Sequence, residues 1–155
     1  MNIVLVQPEI PPNTGNIARL CAATRSELHL IEPLGFRLDD AQLKRAGMDY
    51  WKDVAWRRWP DWPSFYRQAR VDDLWFVEEG GPQIYTEAKF HPDDYLIFGR
   101  ETAGLPREIL EKHRDRWLRI PMFHAGARSL NLSNCAAIVL YEALRQNNFA
   151  GEIES

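Results

Sequence analysis

The sequence predicts an α/β protein with a parallel sheet. Short apolar runs typical of strands recur along the chain, and segments with helical spacing separate them. Polar turns that contain glycine directly follow two of these runs. Strands that alternate with helices in this way favour a parallel sheet. With 155 residues the chain has the length of one ordinary domain, which we place at residues 1–150, followed by a frayed tail at residues 151–155.

The pattern assigns each element in turn. Strands are expected at residues 3–6, 28–31, 74–77, 95–98 and 117–120. Helices are expected at residues 15–24, 39–46, 62–69, 106–112 and 132–146. Pro11 and Pro12 should halt the first strand, and Asn13 or Thr14 should then cap the first helix.

Charge and composition narrow the possible partners. The net charge of −3 argues against sequence-independent coating of nucleic acid, although a local basic patch remains open. Fifteen of the 19 basic residues are arginines, a bias that fits phosphate recognition and that genomic base composition can also produce.

Cysteine, histidine and apolar content predict the environment of the chain. Cys21 and Cys135 lie among apolar residues in predicted helices, so we expect buried free thiols and a cytoplasmic protein. No apolar run reaches 18 residues, and we expect no membrane partner. The four histidines lack ligand spacing, so no metal is expected.

Three polar segments near predicted loop-to-helix junctions indicate one composite active site. In the first, Arg19 lies six residues after Asn13, near the start of a helix whose N-terminus attracts anions. A capped surface helix with an exposed arginine is the alternative. In the second, Gly99 and Gly104 permit close backbone approach, and Glu101 supplies the carboxylate.

The third segment offers hydrogen-bonding groups without fixed charge. Ser129, Asn131, Ser133 and Asn134 suit a neutral polar ligand, and capping accounts for one or two of them. No strand is followed by G-x-G-x-x-G, and a P-loop is also absent from the sequence, which disfavours a dinucleotide-binding or flavodoxin-like nucleotide site.

Three extended stretches carry a family resemblance. They are Pro8-Glu9-Ile10-Pro11-Pro12-Asn13-Thr14-Gly15-Asn16, Ile31-Glu32-Pro33-Leu34-Gly35-Phe36 and Arg128-Ser129-Leu130-Asn131-Leu132-Ser133-Asn134. Together with the turn at residues 98–106 they resemble the motifs of SPOUT methyltransferases that act on ribose 2′-hydroxyls of RNA. The likeness spans nearly the whole chain and is strongest to the single-domain tRNA (cytidine/uridine-34) 2′-O-methyltransferase group.

This resemblance implies a SPOUT fold with a C-terminal deep trefoil knot, a feature that composition and periodicity do not reveal. It implies S-adenosylmethionine as cofactor, with S-adenosylhomocysteine as product, and a homodimer whose site lies near the subunit interface. Packing of the last helix within one subunit is the alternative to that dimer. The implied RNA partner is the tRNA anticodon stem-loop, methylated at the wobble pyrimidine. The implied cofactor-binding residues are Val77, Glu78, Gly80, Gly99, Glu101, Gly104, Ile120, Ser129 and Leu130.

The resemblance also implies catalytic roles. Arg19 is central; because guanidinium stays protonated, we expect it to grip a phosphate and stabilise alkoxide charge rather than accept the proton. Glu101 is expected to orient Arg19 or accept the proton. Asn131 and Ser129 are expected to position the ribose and the methionine moiety. Asn13 is the fifth predicted catalytic residue.

Two features depart from the family pattern. Glu78 and Glu79 place carboxylates in a cofactor-side loop, where they would repel RNA phosphate if exposed, and residues 123–127 form an unusual loop.

Outside the motifs, four tryptophans cluster in the sequence with Arg57 and Arg58. Such a cluster suits either stacking of RNA bases or, as we favour, packing in the core. The tryptophans are Trp51, Trp56, Trp59 and Trp62.

Two other functions share these motifs. A 2′-O-methyltransferase acting on ribosomal RNA would carry the same catalytic residues. A non-catalytic RNA-binding module of the same fold is disfavoured because Arg19, Glu101, Ser129 and Asn131 are all present.

Overall fold

A parallel sheet forms the centre of the protein. The computed structural model describes residues 1–39, 41, 49–127 and 129–153. Within these ranges the strands are β1 (Asn2–Val6), β2 (Glu27–Ile31), β3 (Trp56–Trp59), β4 (Leu74–Val77), β5 (Gln83–Ile84), β6 (Tyr95–Phe98) and β7 (Trp117–Arg119). They pair in the order β3-β2-β1-β6-β4-β7-β5, and each neighbouring pair is parallel. The predicted α/β class is therefore confirmed.

Helices cover both faces of this sheet. They are α1 (Pro11–Thr24), α2 (Trp62–Gln68), α3 (Arg107–Lys112) and α4 (Leu132–Gln146), with short 3-10 turns at Asp49–Lys52, Val71–Asp73, Tyr85–Glu87 and Arg114–Arg116. Buried side chains of α1 and α4 share one core cluster with Ile3, Leu5 and Leu96, whereas Phe65 of α2 and Leu110 of α3 join the cluster on the opposite face. The result is a three-layer α/β/α arrangement.

The central strands follow from their apolar runs, because a strand buried on both faces reads as continuous hydrophobic sequence. Residues 3–6 are all buried, as are residues 74–77, and the five predicted strands agree with the observed ones to within one residue at each end. The prediction missed the two edge strands. In β3 the exposed Arg57 and Arg58 interrupt the pattern, and β5 has only two residues.

The start of α1 differs from the prediction. The helix begins at Pro11, with Ile10 as a backbone N-cap that makes no side-chain hydrogen bond. The prolines fit because the first helical turn needs no N–H donors and prefers the φ that proline imposes. Asn13 and Thr14 are therefore buried helical residues and not caps.

The other helix boundaries agree closely with the prediction. α4 matches at both ends, and its N-cap is Asn131, whose side chain accepts a hydrogen bond from the Ser133 amide. α2 and α3 each differ by one residue at one end. The predicted helix at 39–46 falls almost entirely outside the described residues, as do Arg128 and the last two residues of the predicted tail.

The four tryptophans divide between the two core layers. Trp51 and Trp56 pack with tilted rings at a centroid distance of 4.5 Å on the α1 face, while Trp59 and Trp62 pack around Phe65 on the other. All four side chains are at least partly buried. This arrangement supports the core-packing interpretation of the cluster.

Candidate active site

A cleft of about 550 Å³ opens at the carboxyl edge of the sheet. Loops that leave β4, β6 and β7 enclose it, together with the first turns of α1 and α4. Because the strands are parallel, the loops at their carboxyl ends meet at one edge, where α/β proteins usually bind ligands. The three polar segments found in the sequence therefore converge on one site.

Most predicted site residues line this cleft. The predicted catalytic residues that do so are Asn13, Glu101, Ser129 and Asn131. All but one of the predicted cofactor-binding residues also line it, namely Val77, Glu78, Gly99, Glu101, Gly104, Ile120, Ser129 and Leu130. The exception is Gly80, which turns the chain after β4 with a φ of +79°. Arg19 is exposed on α1 and is also not among the described lining residues.

A hydrogen-bond chain ties the three segments together. The Asn131 side-chain amide donates to Asn13 Oδ1 at 3.0 Å, and Asn13 Nδ2 donates to Glu101 Oε1 at 3.4 Å. A carboxylate only accepts, so Glu101 sets the orientation of the Asn13 amide, which in turn sets that of Asn131. The Asn13–Glu101 bond joins side chains 88 positions apart in the sequence, and the Asn131–Asn13 bond joins side chains 118 positions apart.

Glu101 also binds the backbone that leads into α1. Its two carboxylate oxygens accept from the Glu9 amide at 2.8 Å and the Ile10 amide at 3.0 Å. In return, the Thr102 hydroxyl donates to the Glu9 carboxylate at 2.8 Å. This reciprocal clamp holds the loop after β6 against the start of α1.

The loop after β6 needs its glycines. Arg100 and Gly104 exchange two backbone hydrogen bonds and close a tight turn. A Cβ on Gly99 would lie 2.2 Å from the Gly104 carbonyl carbon, and Gly104 itself has a φ of +65°. A side chain at either position would displace the turn.

Glu78 links the loop after β4 to the same turn. Its carboxylate accepts from the Leu105 amide at 2.8 Å and from the Glu79 amide at 3.1 Å. The Glu78 side chain is half-buried, whereas that of Glu79 is exposed. The repulsion of RNA phosphate that the sequence predicts for an exposed carboxylate therefore concerns Glu79. Burial and the charge of Glu78 raise the pKa of the Cys135 thiol, which also lines the cleft.

Comparison with known proteins places these features in a family. The model of the SpoU rRNA Methylase family matches residues 1–141. The chain belongs to the SpoU methylase family. The predicted family is thereby confirmed.

Among the relatives of this SpoU methylase is the tRNA (cytidine(34)-2′-O)-methyltransferase of Saccharophagus degradans. The two are 52% identical over 97% of both chains. A solved structure described as giving insights into 2-OH methylation of C/U34 on tRNA is 42% identical, with a TM-score of 0.87 over 96% of both chains. The SpoU methyltransferase AviRb from Streptomyces viridochromogenes, solved with AdoMet, is 25% identical with a TM-score of 0.81; the match covers 97% of this chain and 61% of that one.

Sequence reasoning missed part of the cleft of this SpoU methylase. Glu79, Arg100, Thr102 and Ala103 lie within the two loop segments, 77–80 and 99–104, that the resemblance implies for the cofactor. The lining residues outside these segments and outside the predicted catalytic set are Ile10, Phe98, Met122, Leu132 and Cys135. Ile10 and Leu132 belong to the motifs that contain Asn13 and Asn131, and that neighbourhood was the signal the sequence offered.

Three further observations concern the described part of this SpoU methylase. Within it, no three or more His, Cys, Asp or Glu side chains are grouped so as to hold a metal ion. None of its helices combines the length and apolar character required to cross a bilayer. Cys21 and Cys135 are both free thiols, as predicted; Cys21 is fully buried, whereas Cys135 is only partly buried because it lines the cleft.

Proposed function

We propose that this SpoU methylase transfers a methyl group from S-adenosylmethionine to the ribose 2′-hydroxyl of cytidine or uridine 34 in tRNA. One observation carries the proposal: the three motif segments meet at a single cleft through the Asn131–Asn13–Glu101 hydrogen-bond chain. The names of the close relatives support this substrate. Ribosomal RNA is the second candidate, because the matching family model bears that substrate in its description.

The cleft fits the proposed cofactor. Its volume of about 550 Å³ lies in the range of small-molecule sites. Val77, Ile120 and Leu130 give it apolar walls suited to an adenine ring, while Glu78 and Glu101 give it negative charge suited to a cationic ligand. Bound S-adenosylmethionine supplies a methyl group on a positively charged sulfur. The cofactor-binding set proposed from the sequence is retained, with Gly80 shaping the loop.

The polar residues of the cleft orient the acceptor. We assign Asn131 and Ser129 to positioning the ribose and the methionine moiety. Asn131 is suited to this because capping of α4 and the bond to Asn13 restrict its side chain. Orientation of a poor nucleophile such as a ribose hydroxyl supplies much of the rate.

Glu101 is better suited to positioning than to proton transfer. Both of its oxygens already accept hydrogen bonds, from the Glu9 and Ile10 amides and from Asn13. These contacts hold the carboxylate between the start of α1 and Asn13, where it orients its donors.

Arg19 is proposed to grip the RNA phosphate next to the acceptor ribose. It is exposed on α1, beyond the lining of the cleft. RNA that spans from α1 to the cleft would contact both. We propose a homodimer with the site near the subunit interface. In such a dimer α1 of the second copy would also lie near the bound RNA.

The trefoil knot is proposed from the family to which the chain belongs. Residues 120–131 lead from β7 to α4, which packs beside α1 and β6. A Cβ on Gly81 would lie 2.6 Å from the Leu118 backbone, so the segment between β4 and β5 runs in close contact with β7. We further propose a cytoplasmic location, where tRNA is found.

A matched pair of RNA substrates tests the proposal. An anticodon stem-loop with cytidine 34 should accept labelled methyl from S-adenosylmethionine, and the same RNA with 2′-deoxycytidine 34 should not. Equal labelling of both RNAs would show that another atom is methylated and would contradict the proposal.

A further inference from the structure

The wall of the cleft formed by the loop after β4 carries a negative charge that is held in place. The Glu78 carboxylate accepts from the Leu105 amide at 2.8 Å and the Glu79 amide at 3.1 Å. The backbone of Glu78 is also held, since its amide donates to Leu118 and its carbonyl accepts from the Trp117 indole at 3.2 Å. Side chain and backbone are thus both restrained before any ligand binds.

The turn after β6 has room for this carboxylate. A Cβ on Gly104 would lie 2.3 Å from Glu78 Oε2, so the lack of a side chain at residue 104 lets the carboxylate reach the Leu105 amide. The position of the charge therefore depends on two loops that meet only in the folded protein.

The charge balance of the described part of the cleft lining is negative. Its described lining contains three carboxylates, Glu78, Glu79 and Glu101, against one guanidinium, that of Arg100. Glu78 and Glu101 are half-buried, where Coulomb interactions are less screened than at the exposed Glu79. After burial, the charge of Glu78 is the next cause that raises the pKa of the Cys135 thiol, which also lines the cleft.

We propose that Glu78 makes the cleft selective for the cationic cofactor over its neutral product. This inference rests on the proposed function, in which S-adenosylmethionine enters and S-adenosylhomocysteine leaves. The two ligands share every hydrogen-bonding group and differ by the methyl group and the sulfonium charge. A carboxylate held beside the cleft stabilises the first ligand and not the second, so product inhibition is weakened.

Binding measurements on the full chain test this inference. We compare the dissociation constants of S-adenosylmethionine and S-adenosylhomocysteine by calorimetry for the wild type and Glu78→Gln. Any distortion of the loop affects both ligands, whereas loss of the charge affects only the cation. We expect the product-to-cofactor ratio of dissociation constants to fall about five- to tenfold in Glu78→Gln.

A charge-matched control separates local from global electrostatics. Glu108 is exposed in the first turn of α3 and lies outside the cleft lining. Glu108→Gln removes the same charge from the protein and should leave the ratio within twofold of the wild type. A Glu78→Gln protein that binds both ligands with an unchanged ratio overturns the inference and leaves the proposed function intact.

A third ligand tests the inference on the wild type alone, in case Glu78→Gln does not fold. Sinefungin replaces the sulfonium with an amine-bearing carbon and retains a positive charge. We expect the wild type to bind sinefungin more tightly than S-adenosylhomocysteine; equal or weaker binding contradicts the role of charge. If none of the three ligands binds at millimolar concentration, the proposed function itself is wrong and the inference falls with it.

Discussion

At the scale of single residues, the cleft depends on the direction of its hydrogen bonds. Asn131 both donates to Asn13 and accepts from the Ser133 amide, so it joins the first and third segments and caps α4. Neither function of this side chain substitutes for the other. The two can be separated by substitution.

We expect Asn131→Asp to keep the cap and lose the link. An aspartate still accepts from Ser133 but cannot donate to Asn13, so methyl transfer should fall at least about tenfold with little loss of stability. Asn131→Ala should lose the same activity and also about 1 kcal/mol of unfolding free energy. Urea unfolding and methyl-transfer rates distinguish them. An active Asn131→Asp protein would show that the link to Asn13 is dispensable.

His29 gives the stability of the protein a pH dependence. Burial lowers the pKa of His29 from 6.5 to about 4, and its Nδ1 accepts from the Trp59 indole at 3.1 Å, which protonation would prevent. The folded state therefore binds fewer protons than the unfolded state between about pH 6.5 and pH 4. The stability that His29 provides is complete above this window and is lost as pH falls through it.

Unfolding free energies at pH 7.5 and pH 4.5 check this effect. We expect the wild type to lose about 2 kcal/mol more between these values than His29→Gln, which lacks the titrating ring. Because all other ionisable groups are common to both proteins, the difference isolates His29. Equal losses in the two proteins would rule out the proposed linkage.

At the scale of elements, the loops at the carboxyl ends of the strands need close backbone contact. Gly99→Ala would place a Cβ 2.2 Å from backbone of Gly104, which cannot move aside as a flexible side chain can. We expect a loss of at least about 2 kcal/mol in unfolding free energy and of cofactor binding.

Gly126→Ala is the matched control for that substitution. Among the described residues a Cβ there would meet only the His124 ring, at 3.0 Å, in an exposed loop, so stability should change by less than about 0.5 kcal/mol. Thermal unfolding and calorimetric titration measure both quantities. A stable Gly99→Ala protein that still binds cofactor would contradict the close-contact account.

Elements also show how far the sequence predicts the fold. Strands β4 and β6 and helix α4 were predicted at both ends because buried runs and the Asn131 cap are local signals. The start of α1 was missed because a proline pair that can end a strand can equally begin a helix. The edge strand β3 was missed because its pairing with β2, rather than its own pattern, makes it a strand.

At the scale of the whole molecule, the site exists only because distant segments meet. The motifs identified most lining residues, since those motifs are contiguous in sequence. The contacts among them, such as Glu101 with the Glu9 amide, join residues 92 positions apart and depend on the order of strands in the sheet. The sequence alone did not predict the Glu78 contact with Leu105 either, because it arises from two loops on different strands.

The location of the transferred methyl group identifies both the RNA substrate and the acceptor atom. Purified protein is incubated with labelled S-adenosylmethionine and either unmodified total tRNA or ribosomal RNA, and the products are digested to nucleotides. We predict label in tRNA, in the 2′-O-methylated wobble pyrimidine at position 34. Label confined to ribosomal RNA, or on a base rather than a ribose, would contradict it.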